Sequence, residues 1–488
     1  MSAVSRFPDV ERIDCIEIES AVLRAAPYLE QMNRGVLRDP RLHVILDDAR
    51  DALLTSREQY DLIISEPSNP WIAGVATLFT DEFYAATRRR LSPGGVFVQW
   101  VQGYSLEPSD LQMILATIAP HFIDLSLWHN ARADYLILAR TESGPLDFSR
   151  ARTLWSKPDL QEDFSTLRLA KPESWPAYFS LSDAEVRALA TGGNHNTDDR
   201  TLLEYRAPRA MIGENRVGEL EAAVRRFQSG LLPVELRNSE TRAALEAAAE
   251  TSLALGIDRS ADYVHALDAE TPTASLEIVR GRLALRENRI ADAIAHFNRA
   301  MMLEPESAAG MYWYALAKHA TPGDSEGNAI LARILQRDPK NLLALAARVE
   351  FARERRDWRV GALAQVEHIA AMKDPPPSEF CRLGDLWARA GELTPAENAF
   401  RKGLELEPYS YMCHRELGEI DRAKGNLVPA REHLEFVVHF YPEADARTYL
   451  SLALVYRAQG HPDQAREILR KGQRIFPNEP LLSRVSSR

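Results

Sequence analysis

The chain shows two patterns of apolar and polar positions. Between residues 13 and 140, short β-branched apolar runs alternate with stretches of helical period, and from about Pro208 onward the text is helical throughout. In the first part IDCIEI (13–18), RLHVIL (41–46), YDLIIS (60–65) and GVFVQWV (95–101) are nearly continuous in apolar residues, the pattern of strands covered on both faces. Helices are expected at about 20–32 with a kink at Pro27, at 49–57, at 78–91 and again after Pro108. Ser92-Pro93-Gly94-Gly95 should stop the third helix before the next strand. IDLSLWH (123–129) and DYLILAR (134–140) are separated only by the polar segment NARA, so these two strands must be antiparallel.

A parallel α/β series closed by an antiparallel pair is the order of a class I methyltransferase-like, Rossmann-type sheet, whose ligand lies beyond the carboxyl ends of the strands. The polar residues at those ends are the site candidates. They are Glu17 and Glu19 after the first strand, Asp47 and Asp48 after the second, Glu66 and Asn69 after the third, and Gln99 and Trp100 within the fourth. An acid in such a place can equally cap the next helix, and Asp48 ahead of Ala49-Arg50-Asp51 is well placed to do so.

The segments IEIES, ILDDARDAL, YDLIISEPSNPW, LFTDEFYAATRRRLSPGGVFVQW and NTDDRTLLEYRAPR together resemble the spermidine synthase (polyamine aminopropyltransferase) family over residues 10–209, above all its divergent bacterial branch, often fused to membrane segments. The resemblance implies a donor substrate that is an adenosylated sulfonium, decarboxylated S-adenosylmethionine. It gives Glu17 to the ribose hydroxyls, since a carboxylate accepts two hydrogen bonds from a diol. Asp48, with Asp47 as the alternative, falls to the adenine amino group, and Glu66 to the proton of the attacking amine. The family carries a second acid three residues on, which holds a cationic polyamine. Asn69 stands there in this chain, and a neutral amide does not anchor an ammonium by charge.

By the same resemblance Gln99 lies near the acceptor, an amine or polyamine; Trp71, beside Pro70, is expected to shape a pocket lid and Asp198 to help close the site. Two other readings stay open: methyl transfer from S-adenosylmethionine, and a catalytically idle nucleotide fold, because fold does not fix reaction. No strand or GxGxxG-like turn precedes residue 13. Residues 1–12 therefore read as the end of a first helix and its connection. The nucleoside-binding half, 1–209, is expected to lack its central first strand, leaving two sheet edges unpaired. An upstream segment would supply that strand and its glycine loop, and in the divergent branch membrane helices as well.

In the second half, prolines recur at Pro305, Pro339, Pro375, Pro408, Pro442 and Pro477, a spacing near that of the tetratricopeptide repeat. Four units keep the small and large positions where paired helices meet, whereas those ending at Pro339 and Pro375 keep few of them. The expectation is an all-α tetratricopeptide solenoid over 272–488, joined by a helical connector over 210–271, whose concave face holds a protein or peptide partner.

Composition narrows the function. Fifty-nine basic against 70 acidic residues give a net charge of −11, which excludes a broadly nucleic-acid-binding surface. Cys15, Cys381 and Cys413 show no CxxC spacing, so neither a disulfide framework nor a metal site is expected, and Cys381 and Cys413 read as small packing residues. A reducing, cytoplasmic setting fits that usage. No run of 18 apolar residues spans a membrane.

Overall fold

The computed structural model describes residues 1–488 except 73, 130–133, 145–147, 211–216, 234–240, 258, 269, 322–325, 480–481 and 483–488. It divides into two compact units, Met1–Val279 and Arg280–Arg488.

The first unit is α/β. Its strands are β1 (Ile13–Glu17), β2 (Leu42–Leu46), β3 (Tyr60–Ser65), β4 (Leu91–Gln102), β5 (Asp124–His129), β6 (Asp134–Arg140) and β7 (Phe179–Leu181). They form two sheets rather than one: a parallel β1–β2 pair, and a five-stranded sheet ordered β3-β4-β6-β5-β7. In the larger sheet only β3 and β4 run parallel, while β6 pairs antiparallel with both β4 and β5. The NARA segment lies outside the described residues. β7 is three residues long, too short to leave a pattern that sequence reading detects.

The core gathers beneath β4. Phe79, Phe83, Tyr84 and Phe97 are fully or almost fully buried with Leu111, Ile114 and Leu127, and Phe97 stacks on Phe122 at 5.9 Å between ring centroids. Each such side chain stabilises the fold by about 1.5–3 kcal/mol. Helices Asp81–Arg90 and Pro108–Ile118 supply much of this layer.

Three sequence expectations change. The helix expected over 20–32 with a kink at Pro27 is disrupted at that proline but broken rather than bent, a 3-10 turn (Ala26–Leu29) separating Ser20–Ala25 from Glu30–Asn33, because proline removes a helical donor. The supposed breaker at 92–95 lies inside β4: pairing jumps from Tyr60↔Leu91 to Leu62↔Val96, so the extra residues bulge out of the ladder with Gly94 at φ +74°. The early strands are not covered on both faces either. Val44, Leu46, Leu62 and Ile64 are all well exposed, Leu46 at 57% and Ile64 at 52%, because no described element covers these faces of β2 and β3. The amino-terminal segment is tied down by Arg41, which donates to the carbonyls of Phe7 and Val10 at 2.9 Å each.

From Ala274 the described elements are all helices, in six consecutive pairs: Ala274–Arg286 with Ile290–Leu303, Ala308–His319 with Glu326–Arg337, Leu342–Glu354 with Trp358–Ala371, Pro377–Arg389 with Leu393–Leu406, Tyr411–Lys424 with Leu427–Phe440, and Ala446–Ala458 with Pro462–Ile475. The two units that fit the repeat pattern poorly are complete helix pairs. In these pairs the close-packed glycine lies on the second helix, where a Cβ on Gly327 would sit 2.7 Å from the Ala315 carbonyl and one on Gly361 3.5 Å from the Ala352 side chain. In two of the regular units a glycine on the first helix faces a phenylalanine on the second, and in a third Gly418 faces Leu434. A Cβ on Gly281 would sit 2.4 Å from Phe297, and one on Gly384 2.6 Å from Phe400.

Cys381 and Cys413 are buried in a core cluster with Phe400 and Leu417, as packing residues would be, but they are joined in a disulfide, 32 positions apart with their Cα atoms 5.9 Å apart. A separation close to one repeat period sets the first helices of neighbouring pairs side by side, within the span a disulfide bridges. That bond also removes the cysteine argument for a reducing compartment. Among the described residues no helix is long and apolar enough to cross a membrane.

Gly384→Ala should lower the stability of the repeat unit by about 1–3 kcal/mol through overpacking against Phe400. Phe400→Leu on the same background should recover part of it, read as the midpoint of thermal unfolding followed by circular dichroism.

Candidate functional site

Glu17 closes β1 half-buried, and its carboxylate turns back to accept the Glu19 N–H at 2.9 Å. Glu19 in turn caps helix Ser20–Ala25 by accepting from the Ala21 N–H at 2.7 Å. The Asp47 N–H donates to the Glu17 carbonyl at 3.2 Å, so pairing of β1 with β2 continues one residue past the strands and sets Glu17 beside Asp47. The exposed Asp47 accepts the Asp48 N–H at 2.9 Å. Asp48 caps helix Ala49–Thr55, one oxygen taking the N–H groups of Arg50 at 2.8 Å and Asp51 at 3.3 Å. The capping role weighed from sequence is thus present, and it fixes the carboxylate in orientation.

A second group stands at the ends of β3 and β4. Glu66 follows β3 and is exposed. Gln99 on β4 is fully buried and donates to the Ser65 hydroxyl at 3.3 Å and the Trp100 carbonyl at 3.2 Å, while its Oε1 has no hydrogen-bond partner among the described residues. The Tyr104 hydroxyl donates to Asn69 Oδ1 at 3.0 Å, and the Tyr104 ring meets Trp71 edge-on with centroids 6.2 Å apart. Asn69, Trp71 and Tyr104 therefore form one cluster. Among the described residues no hydrogen bond links it to the Glu17, Asp47 and Asp48 group.

Sequence reasoning missed Gln102 and Tyr104. Gln102 is fully buried at the end of β4, and both its amide atoms lack partners among the described residues. Leaving such a group unpaired costs about 1–3 kcal/mol. The signal was a polar residue closing an otherwise apolar strand, the same mark that singled out Gln99.

The NTDDR segment is a brace. Asn196 is fully buried: its backbone N–H donates to the Thr117 hydroxyl at 3.0 Å, its amide donates to the carbonyls of Ala76 at 3.1 Å and Phe79 at 3.2 Å, and its Oδ1 accepts the Leu203 N–H at 3.2 Å. It thereby holds the 3-10 turn Val75–Phe79, a few residues beyond Trp71. Asp198 forms an ion pair with Arg50, the residue whose N–H Asp48 caps. Burial pushes the Asp198 carboxyl up, but Arg50 and Thr80 outweigh it and hold the group below the ordinary carboxylate range. His195 is exposed. Among the described residues no cluster of three or more His, Cys, Asp or Glu could hold a metal ion.

An α/β unit with acids at the ends of parallel strands, followed by paired helices, defines a mixed α/β domain carrying a helical repeat region. Residues 1–128 match the spermine/spermidine synthase domain, and residues 446–479 match the tetratricopeptide repeat. The chain therefore carries a spermidine synthase-like domain at its amino end and a tetratricopeptide repeat at its carboxyl end. Glu17, Asp47, Asp48, Glu66, Asn69, Trp71 and Gln99 all fall inside the first match.

The polyamine aminopropyltransferase of Enterobacter sp. (strain 638) is 40% identical over 96 residues, 20% of this chain and 33% of its own length. That of Synechococcus sp. (strain JA-2-3B'a(2-13)) is 33% identical over 153 residues, 30% of this chain and 46% of its own. The chain thus spans between a third and just under half of the length of these curated relatives. Among solved structures, YrrB, a TPR protein with an unusual peptide-binding site, is 16% identical with a TM-score of 0.34 and covers 39% of this chain and 98% of its own.

Because the folded pKa of Asp198 is depressed, the stability its ion pair contributes is fully present above the unfolded value near ~3.9 and is lost as pH falls through the lower folded value. Asp198→Asn should flatten that acid limb in urea unfolding followed across acid pH. Asn196→Ala, which strips several buried partners at once, should cost about 1–3 kcal/mol or more at neutral pH in the same measurement.

Proposed function

We propose that residues 1–209 bind an adenosylated sulfonium nucleoside and transfer its aminopropyl group to an amine, while the repeats recruit a protein or peptide partner. The observation that carries this reading is the placement of acids at the carboxyl ends of three parallel strands, Glu17 on β1, Asp47 and Asp48 after β2 and Glu66 after β3, inside the segment matching the spermine/spermidine synthase domain. In this reading Glu17 accepts the two ribose hydroxyls of decarboxylated S-adenosylmethionine. Asp48, oriented by its capping bonds, or the adjacent Asp47 accepts from the adenine amino group.

Chemistry then needs a neutral amine. Glu66 takes the proton, the nitrogen lone pair attacks the methylene carbon next to the sulfonium, the carbon–sulfur bond breaks, and sulfur keeps its electron pair as methylthioadenosine leaves. Gln99 Oε1, buried and unpartnered, supports a role in orienting the amine N–H. Asn69 has its oxygen engaged by Tyr104 and presents an amide donor, so the acceptor favoured here carries no second ammonium at that point. The free edges of β1 and β3 belong to the same proposal: one more parallel strand between them would unite the two sheets and bring a backbone turn to the nucleoside.

Isothermal titration of the 488-residue chain with decarboxylated S-adenosylmethionine, S-adenosylmethionine and methylthioadenosine tests the reading beside Glu17→Ala. Preference for the decarboxylated donor or methylthioadenosine, weakened at least about tenfold in the variant (~1.4 kcal/mol), is expected. Preference for S-adenosylmethionine would point to methyl transfer, and binding of none would overturn a nucleoside site in this chain. If turnover is found with an amine, Glu66→Gln should slow it by about 10²–10⁴-fold with donor affinity little changed.

A further inference from the structure

On the other side of the first unit, β5, β6 and β7 together with helix Val217–Arg225 and the loop entering helix Ser260–Ala266 enclose a cavity of about 90 Å³. None of the proposed nucleoside or acceptor residues lines it. The volume is several times the ~10–15 Å³ that a single water needs on this measure.

Arg259 lines this cavity and is 6% exposed. Its guanidinium donates to the Phe179 carbonyl and, weakly, to the Gly230 carbonyl at 3.4 Å, and it lies 5.2 Å from the centre of the Tyr263 ring. Its Nε has no hydrogen-bond partner among the described residues, and no described carboxylate comes within ion-pair distance. The buried Glu185 does not serve as its counterion at close range. That carboxylate is taken up by the N–H and hydroxyl of Ser182 at 2.7 and 2.8 Å, by the hydroxyl and N–H of Ser229, and by the Gly230 N–H at 3.2 Å.

A buried cation compensated by carbonyls, a ring face and distant carboxylates is electrostatically incomplete. Burial depresses the Arg259 pKa most, and the repulsion of Arg225 adds to it. Arg225 lines the same cavity and is itself exposed, so the cavity has one guanidinium deep and one toward solvent. Tyr135 adds a phenol whose pKa is pushed up by burial and by Glu221, so it stays a hydrogen-bond donor. Among the described lining residues Glu221 is the one carboxylate, and it lies 3.5 Å from His129 Nε2.

We propose that this cavity binds a small oxyanion, a carboxylate or a phosphate, with Arg259 and Arg225 supplying the charge and Tyr135 a hydroxyl donor. Two guanidiniums and a phenol around a space of this size match an anion with several acceptor oxygens, which a guanidinium meets with paired N–H groups. The oxyanion would bridge β5–β7 and the connector helices, so its binding is read in the stability of the first unit and is independent of the nucleoside site.

The test is thermal unfolding of the full chain in inorganic phosphate, in acetate and in chloride at one constant ionic strength. A saturable rise in the first-unit midpoint is expected with phosphate or acetate and not with chloride, and the better of the two oxyanions identifies the class. Arg259→Met should abolish the rise, and Tyr135→Phe should raise the half-saturating concentration at least threefold. No saturable rise in the wild-type chain, or an equal rise in Arg259→Met, overturns the site. Should Arg259→Met fail to fold, an unchanged half-saturation in both Tyr135→Phe and Arg225→Gln overturns it just as well.

Discussion

A strand inside a domain has donors and acceptors along both edges, and most of the first unit follows from how those edges are met. β4 has both satisfied, by β3 on one side and β6 on the other, and the aromatic core collects beneath it. Among the described residues β1 has β2 on one edge only, and β3 has β4 on one edge only. The exposed Leu46, Leu62 and Ile64 are the side-chain counterpart of those edges, since an apolar face is covered only where neighbouring strands and their crossover helices continue. The Tyr60 hydroxyl on β3 reaches across the interval and donates to the Asp14 carboxylate on β1 at 2.8 Å.

The candidate acids show how a site is built from local backbone needs. Asp48 caps a helix and Glu17 accepts its neighbour's N–H, yet each carboxylate has about four acceptor positions and uses few of them in this way. A side chain already immobilised by its own backbone loses little further freedom on binding a ligand. The Asp198–Arg50 pair extends that rigidity from the cap to the NTDDR loop, and Asn196 extends it from the loop to the turn beyond Trp71.

Much of this was legible in the residues. β3 and β6 coincide with their apolar runs residue for residue, because each run is short and bounded by polar residues. β4 begins four residues early, since Pro93 and Gly94 punctuate equally a turn and a bulge, and only pairing distinguishes them. The doubtful repeats looked irregular because their close-packed glycines, Gly327 and Gly361, lie on the second helix of the pair rather than the first, which a fixed template does not register. Gln102 was passed over because burial of an amide depends on what covers it, and the Cys381–Cys413 bond because contact across one repeat period is a property of stacking, not of local spacing.

That bond has a mechanical consequence. In a stack of helix pairs each unit holds mainly to its neighbours, so melting or pulling that starts at one end can run through the array one pair at a time. The cross-link joins Pro377–Arg389 to Tyr411–Lys424 and encloses helix Leu393–Leu406 between them. Fraying from the carboxyl end can release the last pair freely, but the fourth and fifth must let go together or stay shut. The oxidised array thus behaves as a chain of links with one pair welded, and its extension under load would be shorter by the chain length the weld encloses.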